Sequence, residues 1–319
     1  MTLTELKYIV AVARERHFGK AADACFVSQP TLSVAVKKLE EELDLKLFER
    51  SANEVTVTPL GEEIVRQAQS VLEQAANIKD IAKRGKDPLA GALKLGVIYT
   101  IAPYLLPDLV RQVITRTPQM PLMLQENFTV KLLEMLRTGE IDCAILAEPF
   151  PDAGLAIAPL YDEPFFAAVP RDHPLAQQSG VSADALKNET MLLLGNGHCF
   201  RDHVLEVCPE FARFSSNAEG IRKSFEGSSL ETIKHMVAAG MGITLVPRLS
   251  VPESALLPKK RGKDDSFVKY LPVQDDHGAP PPTRRVVLAW RRSFTRYEAI
   301  AALRNAVYAC ALPGVTRLS

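Results

Sequence analysis

Apolar residues recur over the first 58 positions in short helical runs. Leu3, Leu6, Ile9, Val10 and Ala13 fall three and four residues apart, which puts them on one helix face. Thr2 or Thr4 can cap that helix. Gly19 interrupts the pattern after Phe18, and a second short helix is expected over Lys20–Phe26. A third helix follows, with Ser28 as its N-cap and Pro30 in its first turn. Leu32, Val36, Leu39 and Leu43 give it an apolar face; Gln29, Thr31, Ser33, Lys37 and Lys38 occupy the other. Lys46–Arg50 and Glu54–Pro59 read as two short strands joined by Ser51, Ala52 and Asn53. Two helices joined by a turn and followed by a hairpin are the layout of a winged helix-turn-helix.

Pro59 opens a long helix expected to reach about Gly85, with Pro88 beyond its end. Ile64, Ala68, Val71, Ala75, Ile78 and Ala82 form an a/d seam over it. A helix of this length with one narrow seam of small residues favours pairing with a copy of itself over packing on its own domain. Two-fold dimers would match paired half-sites on DNA. From residue 89 onward strands and helices alternate: "ALKLGVI", "APYLLPDLVRQVITRTP", "PLMLQEN", "TVKLLEMLRTGE", "IDCAILA". Such alternation implies βαβ units and a parallel sheet. "PFFAAVP", "TMLLLG", "ITLVP" and "VVLAW" continue the strands, and "YEAIAALRNAVYACA" ends the chain as a helix. More than 200 residues of this kind suggest two lobes with a ligand cleft between them.

Composition changes this picture little. The 319 residues carry 38 basic and 38 acidic side chains, and residues 1–90 carry 13 and 14, so bulk charge offers no argument for nucleic-acid binding. A local basic face remains open. No apolar run of about 18 residues occurs, and the N-terminus lacks the pattern of a secretory signal, so no membrane association and a cytoplasmic location are expected. Five scattered cysteines do not make a disulfide framework. The third helix carries the DNA chemistry: Gln29 can read adenine, Ser28, Thr31 and Ser33 can touch bases or phosphates, Pro30 shapes the first turn, and Lys37, Lys38 and Arg50 can neutralise phosphates. An ordinary small helical domain with a solvated polar face is the plainer alternative.

The run "FGKAADACFVSQPTLSVAVKKLEEELDLKLFER", then "VTVTPLGE" and the long helix, resembles LysR-type transcription regulators. The resemblance implies an α/β chain in three parts. These are a winged helix-turn-helix over 1–58, a dimerisation helix over 59–88, and a periplasmic-binding-protein-like effector domain over 89–319. Lobe I would comprise about 89–162 and 268–319, and lobe II about 163–267. Within the family, "ENFT" (Glu126 to Thr129), "GHCFRDHVLEVC" (Gly197 to Cys208) and "SSLETIKHMVAAGMGITLVP" resemble the OxyR subfamily of hydrogen-peroxide sensors. That resemblance implies that Cys199 reacts with peroxide, that Cys208 resolves it as a disulfide, and that Thr100 and Thr129 line the peroxide site. It further implies an activator rather than an enzyme, dimers and tetramers on promoter DNA, and no cofactor. RNA polymerase and a thiol reductant such as glutaredoxin or thioredoxin would be its partners.

The residues themselves bear on this chemistry. Cys199 falls in the first turn of an expected helix, where backbone N–H groups favour a thiolate. His198 and Arg201 can add positive field; Asp202 opposes the thiolate if it points inward, and otherwise can orient Arg201 or accept a peroxide hydrogen. Thr100 and Thr129 each follow a strand, so a helix N-cap is the plainer role for each. Cys208 lies nine residues beyond Cys199. On a continuous helix that is about 13 Å, too far for a disulfide without local unfolding. Cys25, Cys143 and Cys310 read as packing residues. Three rivals stay open at this point: a zinc site at His198, Cys199, His203 and Cys208, a cysteine hydrolase, and a LysR-type regulator answering a small metabolite. The zinc spacing is unlike common modules, the hydrolase lacks an orienting third group, and neither "GNGHCF" nor "GMG" makes a dinucleotide fingerprint.

Overall fold

The computed structural model describes residues 1–50, 55–84, 87, 89–211, 226–227, 229–256, 267–274 and 280–318. Helix α1 (Leu3–Glu15) opens on a capping box of Thr2 and Glu5 and stops at Arg16, which adopts φ +48°. Helix α2 (Phe18–Ala24) is capped by His17. Gly19 therefore lies inside α2 and does not break it; the break is the left-handed Arg16. A Cβ at Gly19 would sit 2.9 Å from the His17 ring, so the cap leaves no room for a side chain. Helix α3 (Gln29–Leu43) is capped as expected, Ser28 Oγ accepting from the Thr31 amide at 3.3 Å. Its buried Leu32, Val36 and Leu39 close a core with Leu6, Ile9 and Val12. Strand β1 (Phe48–Arg50) pairs antiparallel with β2 (Val55–Val57). It starts later than the sequence suggests, because the Leu47 and Phe48 amides are held by the Glu40 carboxylate at 2.8 and 3.2 Å. The expected turn Ser51-Ala52-Asn53 lies outside the described residues.

Helix α4 (Pro59–Arg84) has the expected extent. Its seam divides in two. Ala68 is buried, and it and Ile64 pack on the core of the N-terminal domain, so the plainer reading holds for that half. Val71 and Ile78 are exposed.

The effector half begins with β3 (Leu93–Ile98), α5 (Ala102–Arg116), β4 (Leu122–Asn127), α6 (Thr129–Thr138) and β5 (Cys143–Ala147). These strands are parallel in the order β4-β3-β5. The sixteen-residue β6 (Leu155–Pro170) then crosses from one lobe to the other. β7 (Val181–Ser182), α7 (Ala183–Leu186), β8 (Leu193–Leu194), α8 (Cys199–Val207), β9 (Glu226–Gly227), the helix Leu230–Ala238 and β10 (Thr244–Pro247) belong to the second lobe. β11 (Val268–Gln274) and β10 run antiparallel to the far half of β6, and β12 (Thr283–Arg291) runs antiparallel to both β5 and the near half of β6. The sheet is thus mixed, not parallel. The strands that bridge the lobes return without a helical crossover, and that geometry is antiparallel. β13 (Thr316–Arg317) adds to β6.

Two cores result. One joins β3, β5, α5, α6 and the helix Tyr297–Ala309; the other joins the far half of β6, β10, β11, α8 and the helix Leu230–Ala238. Val268–Gln274, assigned to lobe I from the sequence, packs in lobe II through Tyr270, Leu271 and Val273. Among the described residues no helix is long and apolar enough to cross a membrane.

Candidate functional site

The site forms where the lobes cross. In the β6–β12 register Glu163 lies opposite Arg284. Both side chains are fully buried and paired, Arg284 Nη2 lying 2.8 Å and Nε 2.9 Å from Glu163 Oε2. The other carboxylate oxygen accepts from the Leu249 amide at 2.7 Å. Arg284 also donates from Nη1 to Thr100 Oγ1 at 2.8 Å and from Nη2 to the Thr100 carbonyl at 3.0 Å. Its guanidinium lies 5.3 Å from the Phe200 ring centroid. This one fork therefore joins the turn after β3, both bridging strands and the start of α8. Thr100 is spent on Arg284 and is not a helix cap, since Ile101 holds the N-cap position of α5.

Cys199 is the first residue of α8, as its sequence position suggested, and His198 is the N-cap residue. The buried His198 ring packs on Phe128 at 4.7 Å and Tyr99 at 5.9 Å between centroids. Thr129 begins α6 and caps nothing; its Oγ1 is buried and no hydrogen bond of ordinary geometry reaches it. The hydroxyl is nonetheless near enough to the Cys199 sulfur to pull the thiol pKa down. A cavity of about 150 Å³ opens alongside, lined by Tyr99, Thr100, Glu126, His198 and Glu231.

The expected thiolate preference is reversed in this state. Solvent reaches part of Cys199, but the protein surrounding its sulfur is dense, and burial pushes the thiol above its ordinary pKa. The Thr129 hydroxyl and the Arg284 charge oppose that rise, while Asp202 adds to it. Asp202 is exposed. Arg201 donates to the Leu194 carbonyl at 2.9 Å and so ties α8 to β8; Arg284 contributes a positive field at the thiol. His203 is buried against the Glu148 carbonyl at 2.6 Å, and burial lowers its pKa. Cys208 is the C-cap of α8, fully buried, its pKa pushed up to about 11 by burial. Both cysteines are free thiols at opposite ends of one helix.

Sequence reasoning missed Arg284 and Glu163. The available signal was charged residues at the start of two apolar strand patterns, "DEPFFAAVP" and "RRVVLAW". Arg285, next along, turns outward to Asp162 at 2.9 Å.

On the N-terminal domain, Ser28, Gln29, Pro30, Thr31, Lys37 and Lys38 are exposed along α3 and Ser33 is half-buried. Lys37 faces Glu41 at 3.6 Å and Lys38 faces Glu5 at 3.8 Å. The Arg50 side chain lies outside the described residues.

Residues 3–62 match the family of bacterial regulatory helix-turn-helix proteins of the lysR type, and residues 86–309 match the LysR substrate binding domain. The hydrogen peroxide-inducible genes activator of Pectobacterium carotovorum is 39% identical over 304 residues, covering 94% of this chain and 95% of the relative. The Escherichia coli K12 DNA-binding transcriptional dual regulator OxyR is likewise 39% identical, with 94% of each chain covered. Among solved structures, a full-length OxyR variant from Pseudomonas aeruginosa is similar at 47% identity and a TM-score of 0.73, covering 98% of this chain and 99% of that one. A Corynebacterium glutamicum OxyR mutant with H2O2 bound gives 33% identity and a TM-score of 0.61, covering 97% and 92%. Both halves of the chain are matched in order and nearly end to end, and the chain belongs to the LysR family of helix-turn-helix transcription regulators, in its OxyR branch.

Proposed function

We propose that this chain is a DNA-binding transcription activator that responds to hydrogen peroxide through Cys199 and Cys208. One observation carries the reading: a cysteine at the N-terminus of α8, beside the Thr129 hydroxyl and within the field of Arg284, shares that helix with a second cysteine at its other end. The Cys199 thiolate attacks one peroxide oxygen, the O–O bond breaks, and the departing hydroxide takes a proton and leaves as water. The sulfenic acid then condenses with the Cys208 thiol, forming the S–S bond and a second water. Two thiols are oxidised and one H2O2 is reduced to two waters. Thr100, Thr129 and His198 line the place where peroxide would sit, and Arg201 and Asp202 hold and tune the start of α8.

Nine residues of helix separate the sulfur-bearing positions by about 13 Å, against the roughly 4.4–6.8 Å a disulfide requires. Oxidation must therefore unwind α8, which gives the switch its conformational consequence. Ser28, Gln29, Pro30, Thr31, Ser33, Lys37, Lys38 and Arg50 form the DNA face. The exposed Val71 and Ile78 on α4 support a dimer, with the effector lobes extending it to a tetramer. The protein works in the cytoplasm with RNA polymerase, and a glutaredoxin- or thioredoxin-type reductant resets it, so it does not turn over as an enzyme. Free-thiol counting with disulfide mapping, before and after stoichiometric peroxide, tests this. Loss of two thiols with a peptide linking Cys199 to Cys208 is expected; persistence of all five thiols overturns the reading.

A further inference from the structure

Helix α4 is docked on the effector half through a small polar cluster. Gln69 donates from Nε2 to the carbonyl of Thr138, the last residue of α6. Glu73 Oε1 lies 2.5 Å from Arg291 Nε, a close contact of charges without the alignment of a hydrogen bond. Its other oxygen accepts from Ser293 Oγ at 2.7 Å, and Gln74 donates to the Ser293 carbonyl at 3.1 Å. Gly139 permits this approach. It terminates α6 at φ +74°, and a Cβ there would lie 2.7 Å from Gln69 Nε2 and 3.1 Å from Glu73 Oε1.

Arg291 does a second job. It donates from Nη1 to the Leu136 and Ile141 carbonyls, which closes the C-terminal end of α6. The opposite end of α6 begins at Thr129, and its N-cap residue Phe128 packs on His198, the N-cap of α8 next to Cys199, at 4.7 Å between ring centroids. Ten residues of helix make a rod about 15 Å long. Leu132, Leu133, Met135 and Leu136 bury one side of it in the lobe I core. A packed helix shifts as a unit, because close-packed cores do not deform smoothly.

We propose that α6 couples the redox state of Cys199 to the docking of α4, with Glu73 and Arg291 as positioning residues for the sensing site. This rests on the sensor reading above. In the thiol form the rod is held at both ends. Joining Cys199 to Cys208, with two electrons and two protons passing to H2O2 and two waters leaving, draws the start of α8 with His198 away from Phe128 and frees one end. The dock at the other end then loosens, and α4 carries the change to the DNA-binding domain. Coupling of this kind is reciprocal, so weakening the dock must ease oxidation.

The test is amide hydrogen exchange on the full-length chain, with disulfide mapping on the same sample before and after peroxide. The expected result is a mapped disulfide together with faster exchange around Gln69–Ala76 and in the last turn of α6. Glu73→Gln and, separately, Gln69→Ala keep the Arg291 cap on α6. In each, α4 exchange should already be fast in the thiol form. The thiol–disulfide equilibrium in a glutathione buffer should also move on the order of fivefold toward the disulfide. A mapped disulfide with unchanged α4 exchange overturns the coupling and leaves the sensor reading intact. Variants that speed α4 exchange without moving the equilibrium reduce the cluster to a structural contact and overturn it too. Absence of any disulfide overturns the sensor reading and the coupling with it.

Discussion

At the scale of single residues, Arg284 decides more than any sequence motif. Its fork holds Glu163 and Thr100 together, and its charge opposes the rise in the Cys199 pKa. Arg284→Met leaves the Glu163 carboxylate buried and unpaired, which should cost about 3–5 kcal/mol in chemical denaturation. In whatever remains folded, Cys199 alkylation should slow, because the Arg284 charge that favours the thiolate is gone. The pH response has a definite sign. Burial raises the Cys199 pKa, so the thiol form dominates at neutral pH and the thiolate grows as pH rises. Alkylation of Cys199 by iodoacetamide in the peroxide-free protein should climb steadily from pH 7 to pH 9, about tenfold per unit where the thiolate is a minor species. A plateau already reached at pH 7 would show that Arg284 and the helix N-terminus outweigh burial. Asp202 contributes in the same direction as burial despite its exposure, and solvent screening limits its share.

Elements set what these residues can do. Helix α3 presents its polar N-terminus because Ser28 ties up the Thr31 amide and Leu32, Val36 and Leu39 anchor the opposite face. Gln29 stands exposed in the first turn, free to reach a base edge in the major groove. Gln29→Ala should weaken binding to a specific site by about 1–3 kcal/mol while leaving non-specific DNA binding nearly unchanged, measured by competition at fixed salt. Equal loss on both would place Gln29 on phosphates instead. Lys37 and Lys38 begin paired with Glu41 and Glu5, so each must give up an acidic neighbour before it meets a phosphate. Helix α8 imposes the other element-scale constraint. Its nine residues keep the two thiols apart, and the element must come undone for the chemistry to finish.

For the whole molecule, zero net charge says nothing about the DNA face, because binding depends on where charge lies. The architecture separates three tasks. The N-terminal core holds α3, the crossing strands β6 and β12 hold the thiol site, and α4 spans between them. Half of α4 is committed to its own domain through Ile64 and Ala68, and the half beyond carries exposed Val71 and Ile78. Val71→Glu combined with Ile78→Glu should therefore shift the chain toward monomer in sedimentation velocity without lowering its melting temperature. An unchanged sedimentation coefficient would assign self-association to the effector lobes.

The amino-acid order by itself determined most of the helices, a cap at Ser28 and a choice of Thr2 or Thr4 for the first, the long α4, the strand–helix alternation and the nine-residue cysteine spacing. All of these are local, written in periodicity, in capping residues and in short-range spacing. Tertiary structure alone decided the mixed sheet, the placement of Val268–Gln274 in lobe II, and the Arg284–Glu163 pair. It also decided the dock of Glu73 on Arg291. Those partners are 121 and 218 residues apart in sequence, since 284 − 163 = 121 and 291 − 73 = 218. No pattern along the chain records which buried charges will meet across two bridging strands. The raised Cys199 thiol pKa has the same origin. A helix N-terminus is legible in sequence, whereas the density of protein packed around one sulfur is set only when distant elements close over it.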